Sequence, residues 1–257
     1  MFPPLATAID GLYATFAPVP LPESFSYCGG CCFSAEEARV LLTPRPLREV
    51  TAEALRYYRS NLFSMVGGVP DFRYFLPRVL ELTAAETMHG RPMAGDLEWE
   101  LRALVSAEWA TWAADERAAI DAYLRALWSG VLAGACATPP RDVLAGISAA
   151  EPDLAPMLAE WASSLARPAA AGQLAGMLND YRGDPDVVEL SCWSPASTAL
   201  FAEWLFGAGL RRAIAAAAIG AGPATYAHLA EIRKELDYLV WCRAWRTGDP
   251  AGPPQFV

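Results

Sequence analysis

The sequence predicts an all-α fold: an irregular bundle or short solenoid of about ten to twelve helices in antiparallel hairpins. Three observations carry that expectation. Apolar residues recur at helical spacing almost throughout the chain, and runs that alternate with a period of two are scarce. Breaks of about four to seven residues rich in Pro, Gly or Asp recur along it, the length that joins antiparallel neighbouring helices. No fixed repeat period is visible, so a regular solenoid is not established.

The elements follow in order. Ser34 with Glu37 three residues on makes a capping-box pattern, and the apolar face continues through Ala38, Leu41 and Leu42 until "TPRP" at 43–46 ends the helix. Thr51 caps the next helix, "AEALRYYRSNLF", which breaks at Gly67, Gly68 and Pro70. Asp71 is expected to cap "FRYFLPRVLELTAAETM", where Phe72, Phe75, Leu76 and Val79 share one stripe and Pro77 introduces a kink. Then come "DLEWELRALVSAEWATW" and "ADERAAIDAYLRALWSGVLAGAC". Shorter helices follow, separated by "TPPRD", "AAEPD", "ARPAAAG" and "YRGDPD". The last helices are "PASTALFAEWLFG", "LRRAIAAAAIG" and "PATYAHLAEIRKELDYLVWCRAW".

At 257 residues and 54% hydrophobic, the chain can bury a sizeable core. The expected organisation is a single helical domain over 1–247, with a subdivision allowed near 138–142, and a flexible tail over 248–257. A net charge of −9 argues against direct nucleic-acid binding, which concentrates Lys and Arg on one face, and favours a basic protein partner. Lys234 is the single lysine. It follows Arg233, so no phosphate loop of the GxxxxGK[ST] type exists, and Schiff-base chemistry would rest on Lys234 alone. No GxSxG elbow occurs, and "GAGLRR" and "GAGPAT" miss the GxGxxG spacing.

The apolar stretches "ALWSGVLAGACA" and "AIAAAAIGAG" are shorter than the ~20 residues that span a bilayer, so both are expected as buried helices and no membrane association is expected. The start, "MFPPLATAIDG", lacks a secretory pattern. The expected address is cytoplasmic, where six cysteines do not imply three disulfides.

Cys28 and Cys31 form a CxxC with two glycines between them, a turn that can point both sulfurs at zinc, and Cys32 stands beside them. The same turn precedes a helix N-terminus, which lowers thiol pKa and allows a redox reading. The plainer alternative is thiols packed in a turn. Glu86 and His89 form an ExxH that would sit on one face of a helix, and His228 with Glu231 forms the reverse pair. Bundled di-iron enzymes use two ExxH pairs and two further glutamates. Nine tryptophans serve a core or a partner groove, with core packing expected for most.

The Cys-containing turn, the "RPLREVTAEALRYY" helix start, a Gly-containing turn and "DFRYFLPRVLEL" at 71–82 together resemble a family of soluble bacterial proteins common in actinobacterial genomes and uncharacterised in activity. "ALFAEWLFGAGLRRAI" is similar to that family's C-terminal helix pair. In the family a histidine often stands near the Cys pair and another at the place of Tyr74; this chain has Tyr27 and Tyr74 instead. The expected function is that of a non-enzymatic cytoplasmic helical binding protein that engages a protein partner, one form of which is neutralisation of a basic protein. Two alternatives stay open: a helical metalloenzyme using Glu86, His89, His228 and Glu231, and a thiol or zinc-dependent sensor at Cys28 and Cys31.

Overall fold

Local signals set where most helices begin. A computed structural model describes residues 1–29, 33–90, 97–180 and 194–246. Among these residues it contains twelve α-helices and no strand; extended pairing is limited to isolated bridges of Val66 with Tyr27 and Leu62. The all-α class is therefore established. The expected tail over 248–257 lies outside the described residues.

The chain forms two compact units, which part within residues 131–139. The first spans Met1–Gly130 together with Cys136–Thr138. It contains α1 (Pro3–Phe16), α2 (Ala35–Leu42), α3 (Ala52–Asn61), α4 (Val69–His89), α5 (Leu97–Ser106) and most of α6 (Ala114–Leu132). Within it α4 is the central element, packed against α1, α3 and α5, and Tyr123 of α6 donates to the Leu80 carbonyl of α4 at 2.9 Å. The stripe Phe72, Phe75, Leu76 and Val79 is buried as its spacing predicts.

The capping box on α2 forms in full: Glu37 N–H donates to Ser34 Oγ at 3.2 Å, and Ser34 N–H donates to Glu37 Oε2 at 2.7 Å. Thr51 caps α3 through a 3.1 Å bond from Ala54 N–H. The start of α4 differs from expectation. The helix opens three residues earlier, at Val69, with Pro70 in its first turn, and Asp71 stands at the third position. From there its carboxylate reaches back to the Gly68 N–H at 2.9 Å and accepts from the buried Tyr58 hydroxyl at 2.7 Å. The helix runs through Pro77 to Gly90, whose φ of +64° ends it in the left-handed region. The next expected helix, "DLEWELRALVSAEWATW", divides into α5 and a short 3-10 turn, because Glu108 takes a left-handed conformation with φ 53°.

Gly67 holds the α3–α4 turn at φ +79°, and a Cβ there would stand 2.6 Å from Asp71 Oδ2 and 3.1 Å from the Tyr58 ring. Gly67→Ala is expected to lower stability by about 2 kcal/mol, combining left-handed strain with the displaced Asp71 cap. Thermal unfolding of the variant checks it; an unchanged midpoint would mean that the turn relaxes freely.

The second unit is built from α7 (Pro140–Ala150), α8 (Ala155–Ser164), α9 (Pro168–Asp180), α10 (Pro195–Phe206), α11 (Ala208–Ala218) and α12 (Pro223–Arg246). The long α12 lies chiefly along α9. Small residues make that approach close: a Cβ on Gly172 would come within 3.3 Å of His228 Nε2. No helix among the described residues is long and apolar enough to cross a membrane.

Candidate functional site

The sequence-predicted ligands are placed as follows. Cys28 is exposed, and its backbone N–H donates to Met65 at 2.9 Å. Cys31 and Cys32 lie outside the described residues. Glu86 and His89 share α4, but their polar atoms are engaged differently from a ligand pair. Both Glu86 oxygens accept from the Arg59 guanidinium, at 2.7 and 2.8 Å, and His89 Nδ1 lies 2.6 Å from the Ala85 carbonyl on the surface. The reason is local: Glu86 sits on the turn of α4 that faces α3, where Arg59 is fully buried and needs a counter-charge. In the second unit His228 is half-buried over Gly172, and Glu231 lies 3.6 Å from Lys234 Nζ. Among the described residues no three His, Cys, Asp or Glu side chains stand together as a metal site requires.

Sequence reasoning passed over two arrangements. The first is a buried ion cluster in the first unit. Arg59 of α3, with its side chain fully excluded from solvent, meets Glu86 of α4 on one side and Glu100 of α5 on the other, the latter at 2.6 Å. Glu100 also contacts the Thr83 hydroxyl, which in turn lies 2.8 Å from the Val79 carbonyl. Burial pushes the Glu100 carboxyl up to about 7; Arg59 and Thr83 oppose the shift and the Glu86 charge adds to it. Burial also raises the hydroxyl of Tyr123 nearby, with the Glu100 charge as a second cause. The i, i+3 spacing of Thr83 and Glu86 was readable in the sequence. Their meeting with residues from two other helices was not.

The second arrangement is a cleft of about 960 Å³ in the second unit, formed by α8, α10 and α11. Each helix contributes residues at three- and four-residue spacing, the period of one helical face. From α8 and its end come Ala155, Leu158, Ala159, Ala162 and Ala166. From α11 come Gly209, Ala213, Ala216 and Ala217, and from α10 come Leu200, Glu203 and Trp204. The walls are mostly of small residues, with Leu158 on one and Leu210 and Arg212 on the other, and α10 supplies the aromatic Trp204. Trp204 stacks on Trp161 with ring centroids 5.4 Å apart and on Phe201 at 5.7 Å. Trp161 is fully buried and its indole N–H donates to the Ala170 carbonyl at 3.0 Å. Polar groups on the cleft are few: Glu203, Arg212 and Ser163, all exposed.

The cleft corrects one expectation. "AIAAAAIGAG" is only partly a buried helix: of its side chains Ile214 is buried, while Ala215, Ala216 and Ile219 are exposed, Ile219 at 85%. Ala213, Ala216 and Ala217 of this stretch line the cleft instead of filling a core. A further detail fixes the geometry. Gly207 both ends α10 and begins α11, and a Cβ there would stand 2.4 Å from the Glu203 carbonyl. Only glycine allows so tight a corner.

Compared with protein-family models, curated proteins and solved structures, the chain matches none.

Proposed function

We propose that this is a non-enzymatic binding protein whose α8–α10–α11 cleft receives an amphipathic helix of a partner protein. The observation that carries the reading is the shape of the cleft. Two helices line it mostly with small side chains, and its α8 edge runs from Ala155 to Ala166, roughly 16 Å at helical rise. Small side chains permit close backbone approach, and the length suits about three turns of an incoming helix. Such a helix would anchor apolar residues at i, i+3, i+4 and i+7 against Trp204 and Leu200. The volume lies at the upper end of ligand cavities, and the lining is mostly apolar with a few polar groups at fixed places.

Charge supports the kind of partner. The whole chain carries −9, so a helix with a basic outer face is attracted to it, and Glu203 offers a carboxylate on the cleft itself. The same charge makes neutralisation of a basic protein one form of this activity. The proposed kinship with the actinobacterial-type family remains in keeping with a cytoplasmic binding role and adds no chemistry to it.

The experiment is a selection from a displayed library of amphipathic helical peptides on the full protein, followed by affinity measurement against Ala162→Trp and Ala213→Trp, each of which plugs the cleft. The expected result is a set of peptides with apolar residues at helical spacing and basic residues on the far face, losing at least about tenfold in affinity on either plugged variant and weakening with salt. Peptides indifferent to both substitutions would overturn the reading. So would a cleft that takes a small apolar dye but no helix.

A further inference from the structure

Polar groups gather toward one end of the α8–α10–α11 cleft. α10 runs beside α8 in the same sense: Ser197, near its start, donates from its hydroxyl to the Pro152 carbonyl just ahead of α8 at 3.4 Å, and Trp204, near its end, stacks on Trp161 in the later half of α8. Ser163 follows Trp161 on α8, Glu203 stands beside Trp204, and Arg212 lies five residues past the Gly207 corner, about 7.5 Å of helix. Toward the other end the lining is Ala155, Leu158, Ala159 and Leu200, whose side chains carry no polar atom. The cleft therefore has a polar end and an apolar end.

Two groups at the polar end carry opposite charges. Arg211 pairs with Asp237 at 2.7 Å and Lys234 with Glu231 at 3.6 Å, whereas among the described residues neither Glu203 nor Arg212 enters an ion pair, with each other or with a third group. Both side chains are exposed. A partner helix that is basic throughout suits Glu203 and the chain's charge of −9, but it brings like charge to Arg212. An exposed ion pair adds little affinity, while like charges brought together are penalised, so two such groups act chiefly against wrong partners and wrong placements.

We propose that Glu203 and Arg212 are specificity-determining residues that set the direction of the helix in the cleft: the partner helix carries a basic residue for Glu203 and an acidic residue for Arg212 toward one of its ends, and meets the cleft with apolar residues alone toward the other. This inference rests on the reading of the cleft as a helix receptor. Affinity comes from the apolar stripe against Leu200 and Trp204; the two charges decide which helices are accepted and which way they lie. Reversing the helix carries its acid and its base away from both partners and sets them against the apolar end, where they lose water without gaining a counter-charge.

The test uses helical peptides selected on the full protein and lost on Ala162→Trp, and measures their affinity for the double reversal Glu203→Arg/Arg212→Glu, which leaves the net charge of the chain unchanged. Selected peptides are expected to share one acidic and one basic residue at constant places beside the apolar stripe and to weaken about tenfold on the reversed protein. Peptides with those two residues exchanged should bind the reversed protein and not the wild type. A nitroxide on the charged end of a bound peptide should broaden the amide signals of Glu203 and Arg212, and one on the opposite end those of Ala155 and Leu158. Plug-sensitive peptides that bind wild type and reversed protein equally, or a nitroxide that broadens both sets alike, would overturn this inference and leave the helix receptor standing. Selection that yields no plug-sensitive peptide would overturn both. Should the reversed protein not fold, Glu203→Gln/Arg212→Gln decides: selected and exchanged peptides are expected to bind it equally, and a preference that persists there would overturn the inference.

Discussion

Replacing Arg59 by methionine is expected to destabilise the first unit by about 3–5 kcal/mol at neutral pH. Methionine keeps much of the volume and the flexible stem, so the loss does not come from a cavity. It comes from what remains. Glu86 and Glu100, their side chains 12% and 2% exposed, both lose the guanidinium that bonds to them. Removing one partner of a buried ion group costs more than the group itself contributes, because the surviving charge has lost both water and its counter-ion. Acid should rescue the variant in part, since protonating the carboxylates removes the uncompensated charge. Urea midpoints at pH 5 and pH 7.5 check both statements; a variant equally unstable at the two values would locate the damage in packing instead.

The second large effect is expected in the other unit. Trp161→Ala removes a fully buried indole, its 3.0 Å bond to Ala170 and its stack against Trp204, and should cost about 3–5 kcal/mol. Trp161→Phe should cost markedly less, because an aromatic face still meets Trp204. The consequence for the cleft is specific. Trp204 would lose the ring beneath it and tilt into the vacated space, so helix binding should weaken even in the fraction that stays folded. Near-ultraviolet circular dichroism together with peptide affinity separates loss of folding from loss of the floor. Full affinity in a folded Trp161→Ala protein would show that the floor does not depend on this stack.

The helices were legible because their ends are written locally. Ser34 with Glu37 and Thr51 each act within three residues, and the stripe from Phe72 to Val79 declares its face by spacing alone. Where a competing local signal exists, the reading slipped. Pro70 in the first turn drew the start of α4 ahead of Asp71, and Glu108 in a left-handed conformation broke what periodicity reads as one helix. The candidate site was far less legible. Arg59 and Glu100 are 41 positions apart and look like ordinary surface charges, since a sequence does not show which charged residue a distant helix will cover. The alanines of α8 and α11 carry even less signal: alanine suits a packed core and an open groove equally, so "AIAAAAIGAG" reads as buried although Ala213, Ala216 and Ala217 line the cleft. Glu86 and His89 show the converse. Their spacing puts two ligand-type residues on one helix, but what a carboxylate does is decided by the nearest cation, and for Glu86 that is Arg59.

Gly207 gives the cleft a mechanical property. One residue closes α10 and opens α11, so the angle between floor and wall rests on a single pair of backbone dihedrals and not on a loop with many. A helix is stiff over this length, and Ala217 stands ten residues beyond the corner, a lever of roughly 15 Å. Turning the corner by about ten degrees therefore swings the far edge of the wall by about 3 Å, close to the difference between admitting an alanine face and a leucine face. The buried Leu210 and Ile214 and the packing of α11 on α12 resist that rotation, so the bore of the cleft is held by the contacts that anchor its wall.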